Sequence, residues 1–238
     1  MSQTGRPPAR WALGTGVVLL LVLVPGAMSS TGELPAEDPC PWSTPAPDRA
    51  ITHSGQAVGT SFTFETPSAW SIDGEFTDDG GGVVVVTPEG ASVASLTVLS
   101  GWGAVCGPES ACVPQRVVHV EDVPGEEALS GSGDFVVRTI AMDLTDRPDL
   151  REAFGWEDDV RLVTSLTDGD EPVPETMLPH LMYGLGSIVA GDPASGDDRS
   201  GVVIFNLQRE FSTMEEAQAY ARSEEHRQLQ GVIASFRG

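Results

Sequence analysis

Lysine is absent from the chain: its basic side chains are 13 arginines, set against 35 aspartates and glutamates and four histidines. The resulting formal charge of −22 repels phosphate backbones, whose binding depends on Lys and Arg contacts, so nucleic acid is excluded as an expected partner. Without lysine there is no glycine loop ending in the lysine that cradles phosphates. A G-x-S-x-G elbow, an H-E-x-x-H pair and a dinucleotide fingerprint after a strand are missing as well. Cysteine is scarce, with three residues, and no histidine stands at ligand spacing from Cys106 and Cys112, which argues against zinc. No acidic residue occurs before Glu33.

That last absence frames the amino terminus. Arg6 and Arg10 precede an apolar run from Trp11 to Val24, followed by Pro25-Gly26-Ala27-Met28-Ser29. Charge, apolar core and small residues in that order form a secretory signal. Cleavage after Ser29 would use Ala27 and Ser29 as the small pair. The competing fate is an uncleaved anchor, since Trp11 to Met28 approaches the length needed to cross a bilayer. Either way the rest of the chain is expected outside the cytoplasm, secreted or tethered to the cytoplasmic membrane. The membrane would be touched only through a retained anchor.

Export permits disulfides. Cys106 and Cys112 bracket a turn-rich stretch, making them the disulfide candidate, with a stabilisation near or below ~3 kcal/mol for so short a loop. Cys40 is then the unpaired candidate, or it pairs with one of the other two and ties the leader to the domain. Residues 30–57 hold Pro35, Pro39, Pro41, Pro45 and Pro47 among polar residues, which reads as a disordered linker. The layout is therefore 1–29 signal or anchor, 30–57 linker, and 58–238 a single domain.

Within the domain, Ser61-Phe62-Thr63-Phe64 alternates polar and aromatic residues and ends at Pro67, a half-buried strand. Val83 to Val86 is a β-branched run suited to an inner strand. Ala94 to Ser100, Arg116 to Val123, Phe135 to Leu144, Arg161 to Leu166, Leu185 to Val189 and Val202 to Gln208 continue the series, the last two as a hairpin. Pro148 can open a short helix that Gly155 stops. Ser212 and Glu215 form a capping-box pattern ahead of a stripe of Ala217, Tyr220 and Ala221. Leu229, Val232, Ile233 and Phe236 recur at helical spacing beyond the polar stretch Ser223 to Gln228, as one interrupted helix or two. Strands followed by helices predict an α+β fold, an antiparallel sheet packed against a few helices.

Both ends of this domain carry a resemblance. Phe62-Thr63-Phe64-Glu65-Thr66-Pro67-Ser68-Ala69-Trp70 resembles the strand, proline and Gly-Trp pair of the PsbP-like fold, with Ala69 in place of the usual glycine. Ser223-Glu224-Glu225-His226-Arg227 running to Ile233-Ala234-Ser235-Phe236 is similar to that family's final helix and terminal Ser-Phe. Exported LpqN-type proteins of actinobacteria are relatives of that fold, and the all-arginine basic set is in keeping with such a source. The resemblance implies an α/β/α sandwich, Trp70 and Phe236 as packing residues, and a binding or assembly role without known chemistry. It covers roughly residues 60–237 by layout and is specific only at the ends.

No catalytic or metal-binding residue emerges from the pattern, and no cofactor is expected. His53, His119, His180 and His226 are widely spaced. His119 alternates with valines as a surface residue would, and His226 belongs to the polar face of the last helix. Asp78-Asp79 and the group Asp168, Asp170 and Glu171 sit beside turn glycines but lack the register of a calcium loop, so they read as solvated turns. The expectation is a non-catalytic, exported cell-envelope protein that binds an envelope protein or an apolar small molecule. The alternatives are a hydrolase with an unrecognised carboxylate or serine site, and a calcium-stabilised module.

Overall fold

The computed structural model describes residues 49–100, 112–125, 134–184, 188–190 and 201–238. The leader, Cys40 and Cys106 lie outside them. Among the described residues no helix is long and apolar enough to cross a membrane.

The first element corrects the domain boundary. Residues expected in the linker form strand β1 (Ala50–Ala57), paired antiparallel with β2 (Thr60–Pro67). Val58, where the domain was expected to begin, is instead the first residue of the hairpin turn. Val58 (φ 53°) and Gly59 (φ 77°) both take the left-handed conformation that two-residue hairpins use. A β-branched residue is strained there. Its buried side chain and a hydrogen bond from its N–H to the Asp78 carbonyl (3.1 Å) hold it in place.

The main sheet contains β3 (Ser71–Thr77), β4 (Gly80–Val86), β5 (Ser92–Leu99), β6 (Gln115–Pro124), β7 (Phe135–Asp143), β8 (Val160–Asp168), β9 (Thr176–Met177), β10 (Ile188–Ala190) and β11 (Gly201–Phe211). Its order is β3-β4-β5-β11-β8-β7-β6-β9, with β10 paired to β11, and its ladders are antiparallel. Two local meanders, β3-β4-β5 and β6-β7-β8, are thus joined by β11, the last strand of the chain. The expected hairpin of the last two strands is present as β10 and β11.

Alternation along the strands creates two apolar faces. Val137, Leu162, Val203 and Phe205 belong to the larger cluster, with Leu229 and Ile233 from the last helix and Phe236 just beyond it. Ile140, Met142 and Val163 point the other way, joining Leu150 and Met182 in a smaller cluster. Leu150 comes from α1 (Pro148–Phe154), which starts with its proline in the first turn and stops at Gly155 in the left-handed conformation, φ 69°. Met182 comes from a 3-10 helix, Pro179–Gly184. The fold is α+β, a mainly antiparallel sheet with helices packed on it.

The carboxy-terminal helices are α2 (Met214–Ala221) and α3 (Glu224–Ala234). The expected capping box is shifted by one residue: Thr213, not Ser212, caps α2 by accepting from the Glu216 N–H at 3.2 Å. Ser223 caps α3, accepting from the His226 N–H at 3.1 Å. The break between the helices therefore falls at Arg222-Ser223, ahead of the polar stretch rather than across it. After α3 the chain turns so that Arg237 exchanges two 2.8 Å backbone hydrogen bonds with Thr63.

Hairpin, helix end and sheet meet in an aromatic cluster. Phe62 stacks on Phe236 at 5.8 Å between centroids and meets the edge of Phe76 at 4.8 Å. Phe205 contacts Phe64 and Phe236 edge-on at 5.4 and 6.2 Å. Gly55 lies under the Phe62 ring: a Cβ there would stand 2.5 Å from its Cζ, too close for any real side chain. Because Phe76 and Phe236 hem that ring in, Gly55→Ala should cost about 1–3 kcal/mol through overpacking. Urea unfolding measures this; an unchanged midpoint would show that the ring yields freely.

Candidate functional site

Catalysis requires titratable groups that converge on an accessible space, so the placement of each histidine and charged network is informative. The four histidines stand on β1, β6, the 3-10 helix and α3. His53 Nε2 lies 2.8 Å from the Thr66 hydroxyl and its ring lies 5.1 Å from that of Phe64. Burial pushes its pKa down. His119 is exposed, as its alternation with valines suggests, and bonds to Asp122 at 3.0 Å.

His226 corrects the sequence reading. It is 0% exposed, not on a polar surface. Its Nδ1 is 2.9 Å from the Ala221 carbonyl, and its Nε2 is 2.8 Å from the Thr164 hydroxyl. Thr164 in turn lies 3.0 Å from the Thr139 hydroxyl. A carbonyl only accepts, so Nδ1 carries the proton and Nε2 accepts from Thr164. The spacing His226, Leu229, Ile233 held the missed signal, since steps of three and four residues place all three on one helix face.

On the opposite face of the sheet Arg138, its side chain 4% exposed, donates through Nε and Nη2 to the two oxygens of Asp122, each at 3.0 Å, and through Nη1 to the Glu171 carbonyl at 2.9 Å. Burial raises the Asp122 pKa, but the donors from Arg138 and His119 outweigh it and hold the carboxyl below its ordinary range. At the far end of β8, Arg161 lies 4.8 Å from the Trp156 ring and pairs with Glu210. Glu210 also accepts from the Glu157 N–H at 2.8 Å. Each of these carboxylates is therefore engaged by cations and N–H donors of the fold.

The acidic turns behave as turns. Asp78-Asp79 connects β3 to β4, and Asp168 Oδ1 accepts from the Asp170 N–H at 2.9 Å. Among the described residues, no three histidine, cysteine, aspartate or glutamate side chains come together to hold a metal ion. Cys112 is half-buried just ahead of β6; its candidate partners Cys106 and Cys40 fall outside the described residues.

A cleft of about 620 Å³ runs along the β1–β2 hairpin beside the carboxy-terminal residues. Ser54, Gly55 and Gln56 of β1, Ser61, Phe62 and Thr63 of β2, and Arg237 with Gly238 line it. Cross-strand register explains the chemistry of this surface. Ser54 pairs with Thr63 and Gln56 with Ser61, so these polar side chains share one face of the hairpin while His53, Phe62 and Phe64 alternate to the other. His53 is accordingly directed away from Ser54 and supplies it no general base. Arg237, the ionisable side chain of this lining, pairs with Glu65 at 3.4 Å. What the cleft offers is hydroxyl, amide and guanidinium hydrogen bonding. A smaller groove of about 220 Å³ between β2 and α3 is lined by Thr66, Pro67 and Val232 among others.

No family model matches the chain, and no curated protein matches it.

The Arg138–Asp122 pair generates a test. Asp122→Asn leaves a buried guanidinium without its countercharge and should cost about 1–2 kcal/mol at pH 7, moderated because solvent reaches Asp122. The folded protein lowers the Asp122 pKa, so its contribution is full above the ordinary carboxyl value and is lost as pH falls through the depressed one. Denaturation of both proteins from pH 7 to about pH 2 should show the gap constant above about pH 4–5 and closing below it. A gap that is constant with pH would contradict this assignment.

Proposed function

We propose that this is a non-catalytic, exported cell-envelope protein whose domain binds another protein through the β1–β2 cleft, in keeping with its resemblance to the PsbP-like fold. The observation that carries the reading is the lining of that cleft: neutral hydroxyl and amide side chains beside the Phe62 ring, with one paired arginine and no converging acid–base couple among these side chains. An open, polar-rimmed surface suits an extended protein segment better than an apolar small molecule, which needs an enclosed apolar pocket. A hydrolase would need a base beside a nucleophile, and the hairpin register turns His53 away from Ser54. A calcium module would need six to eight oxygen ligands gathered at one point.

On this reading residues 1–29 direct export and Cys106 pairs with Cys112. Intact mass of the protein from its native-type host checks both: a species beginning at Ser30, or a membrane-bound full-length one, with one thiol alkylated before reduction and three after. Three reactive thiols before reduction would overturn the pairing.

The binding role is tested with a photo-crosslinking residue placed at Ser54, at Gln56 and, as a control, at exposed Glu152 on α1. The expected result is the same discrete adduct from Ser54 and Gln56 and none from Glu152. Equal labelling from all three positions, or none from the hairpin, would contradict the assignment.

A further inference from the structure

His226 is an ionisable side chain that is 0% exposed. It sits where α2, α3 and the sheet meet. Its own helix α3 supplies Glu225 and Gln230. α2 supplies the Ala221 carbonyl at 2.9 Å and the Tyr220 ring at 5.4 Å between centroids. β8 and β7 supply the hydroxyls of Thr164 and Thr139. From β6, Glu121 stands 3.6 Å from Nδ1 while accepting from the Gln230 amide at 2.9 Å. Arg209 of β11 is drawn to Glu225 at 3.2 Å.

We propose that His226 is an acid-sensitive latch: neutral, it fastens α3 to the sheet, and one proton on Nε2 undoes that fastening. The direction of the hydroxyl chain is the reason. With His226 neutral, Thr139 donates to Thr164 and Thr164 donates to Nε2, so every buried donor has an acceptor. A proton on Nε2 turns it into a donor aimed at Thr164. Thr164 then either donates to Thr139 or accepts from both neighbours, and in each case one hydroxyl of the pair, both 0% exposed, is left without an acceptor in that chain. Glu121 does not repair the change, because it faces Nδ1, which is already committed to the Ala221 carbonyl. The imidazolium is also placed where solvent does not reach. Burial accordingly pushes the His226 pKa below its ordinary value, against smaller opposing effects of the Ala221 hydrogen bond and of Glu121 and Glu225.

Linkage fixes the sign. The latch is at full strength above the ordinary histidine value of about 6.5 and weakens as pH falls below it, because the opened state then binds a proton that the closed state refuses. Uptake of one proton steepens opening by about tenfold per pH unit. The opened form would uncover Leu229, Val232 and Ile233 of α3 together with the sheet face beneath them.

The experiment is hydrogen exchange on the full chain between pH 7.5 and pH 5, corrected for intrinsic rates, alongside an NMR titration of the His226 ring. The expected result is protection of α3 falling by about tenfold per pH unit below about 6.5, while β4 and β5, remote from His226, hold theirs. His226→Gln should remove that pH dependence. If this variant does not fold, the wild-type titration still decides, since α3 protection must start to fall near pH 6.5 while the ring of the closed form stays neutral to lower pH. An α3 that keeps its protection while His226 protonates, a loss shared equally by β4 and β5, or an unchanged acid loss in His226→Gln would each overturn the latch.

Discussion

The stacking of Phe62 on Phe236, with Phe205 and Phe64 closing the cluster from the sheet, is the constraint on which the rest of the domain depends. It binds together three parts of the chain that are distant in sequence: the opening hairpin, the central strand β11 and the end of α3. Phe62, stacked on Phe236 and edged by Phe76, leaves no room for a Cβ at position 55. The turn of the chain after α3 then brings Arg237 into register with Thr63. The walls of the β1–β2 cleft are therefore fixed from within the core.

The same packing decides where charge resides. With 35 acidic residues and no lysine, the domain uses its arginines as internal ties, Arg138 to Asp122 and Arg161 to Glu210, each spanning neighbouring strands. Burial favours the neutral form of its inward histidine, with a carbonyl on one side fixing the tautomer and a hydroxyl chain on the other. Perturbed titration often marks a catalytic site. Here Asp122 and His226 tie parts of the fold to one another, and the open cleft is lined by neutral side chains and one paired arginine.

Much of the sheet was legible because its strands carry a period of two over a buried face. Phe62 and Phe64 point inward between polar neighbours, and Val83 to Val86 forms an inner strand. Pro148 and Gly155 marked the ends of α1 because one suits a first turn and the other a left-handed stop. β1 was not legible: Thr52, His53, Ser54, Gly55 and Gln56 bury little, and the strand exists because β2 and the aromatic cluster hold it. β3 was missed for a similar reason, since Asp73 and Glu75 are exposed on an edge. The insertion of β11 between two meanders is a matter of long-range pairing that local patterns do not encode. For the candidate site, the polar residues of the cleft carried no signature, and the polar character of Glu224, Glu225 and Arg227 masked the inward position of His226.

The central claim is that hairpin, central strand and carboxy terminus share one aromatic core, so that the cleft is a consequence of packing and not a loose appendage. A double-mutant cycle between Phe62→Leu and Phe236→Leu, read by urea unfolding, tests it most directly. The account predicts a coupling energy of about 1 kcal/mol beyond the two single losses, as expected for rings in contact. Losses that add without coupling would mean that the hairpin and the end of α3 are stabilised independently, and the account would be wrong.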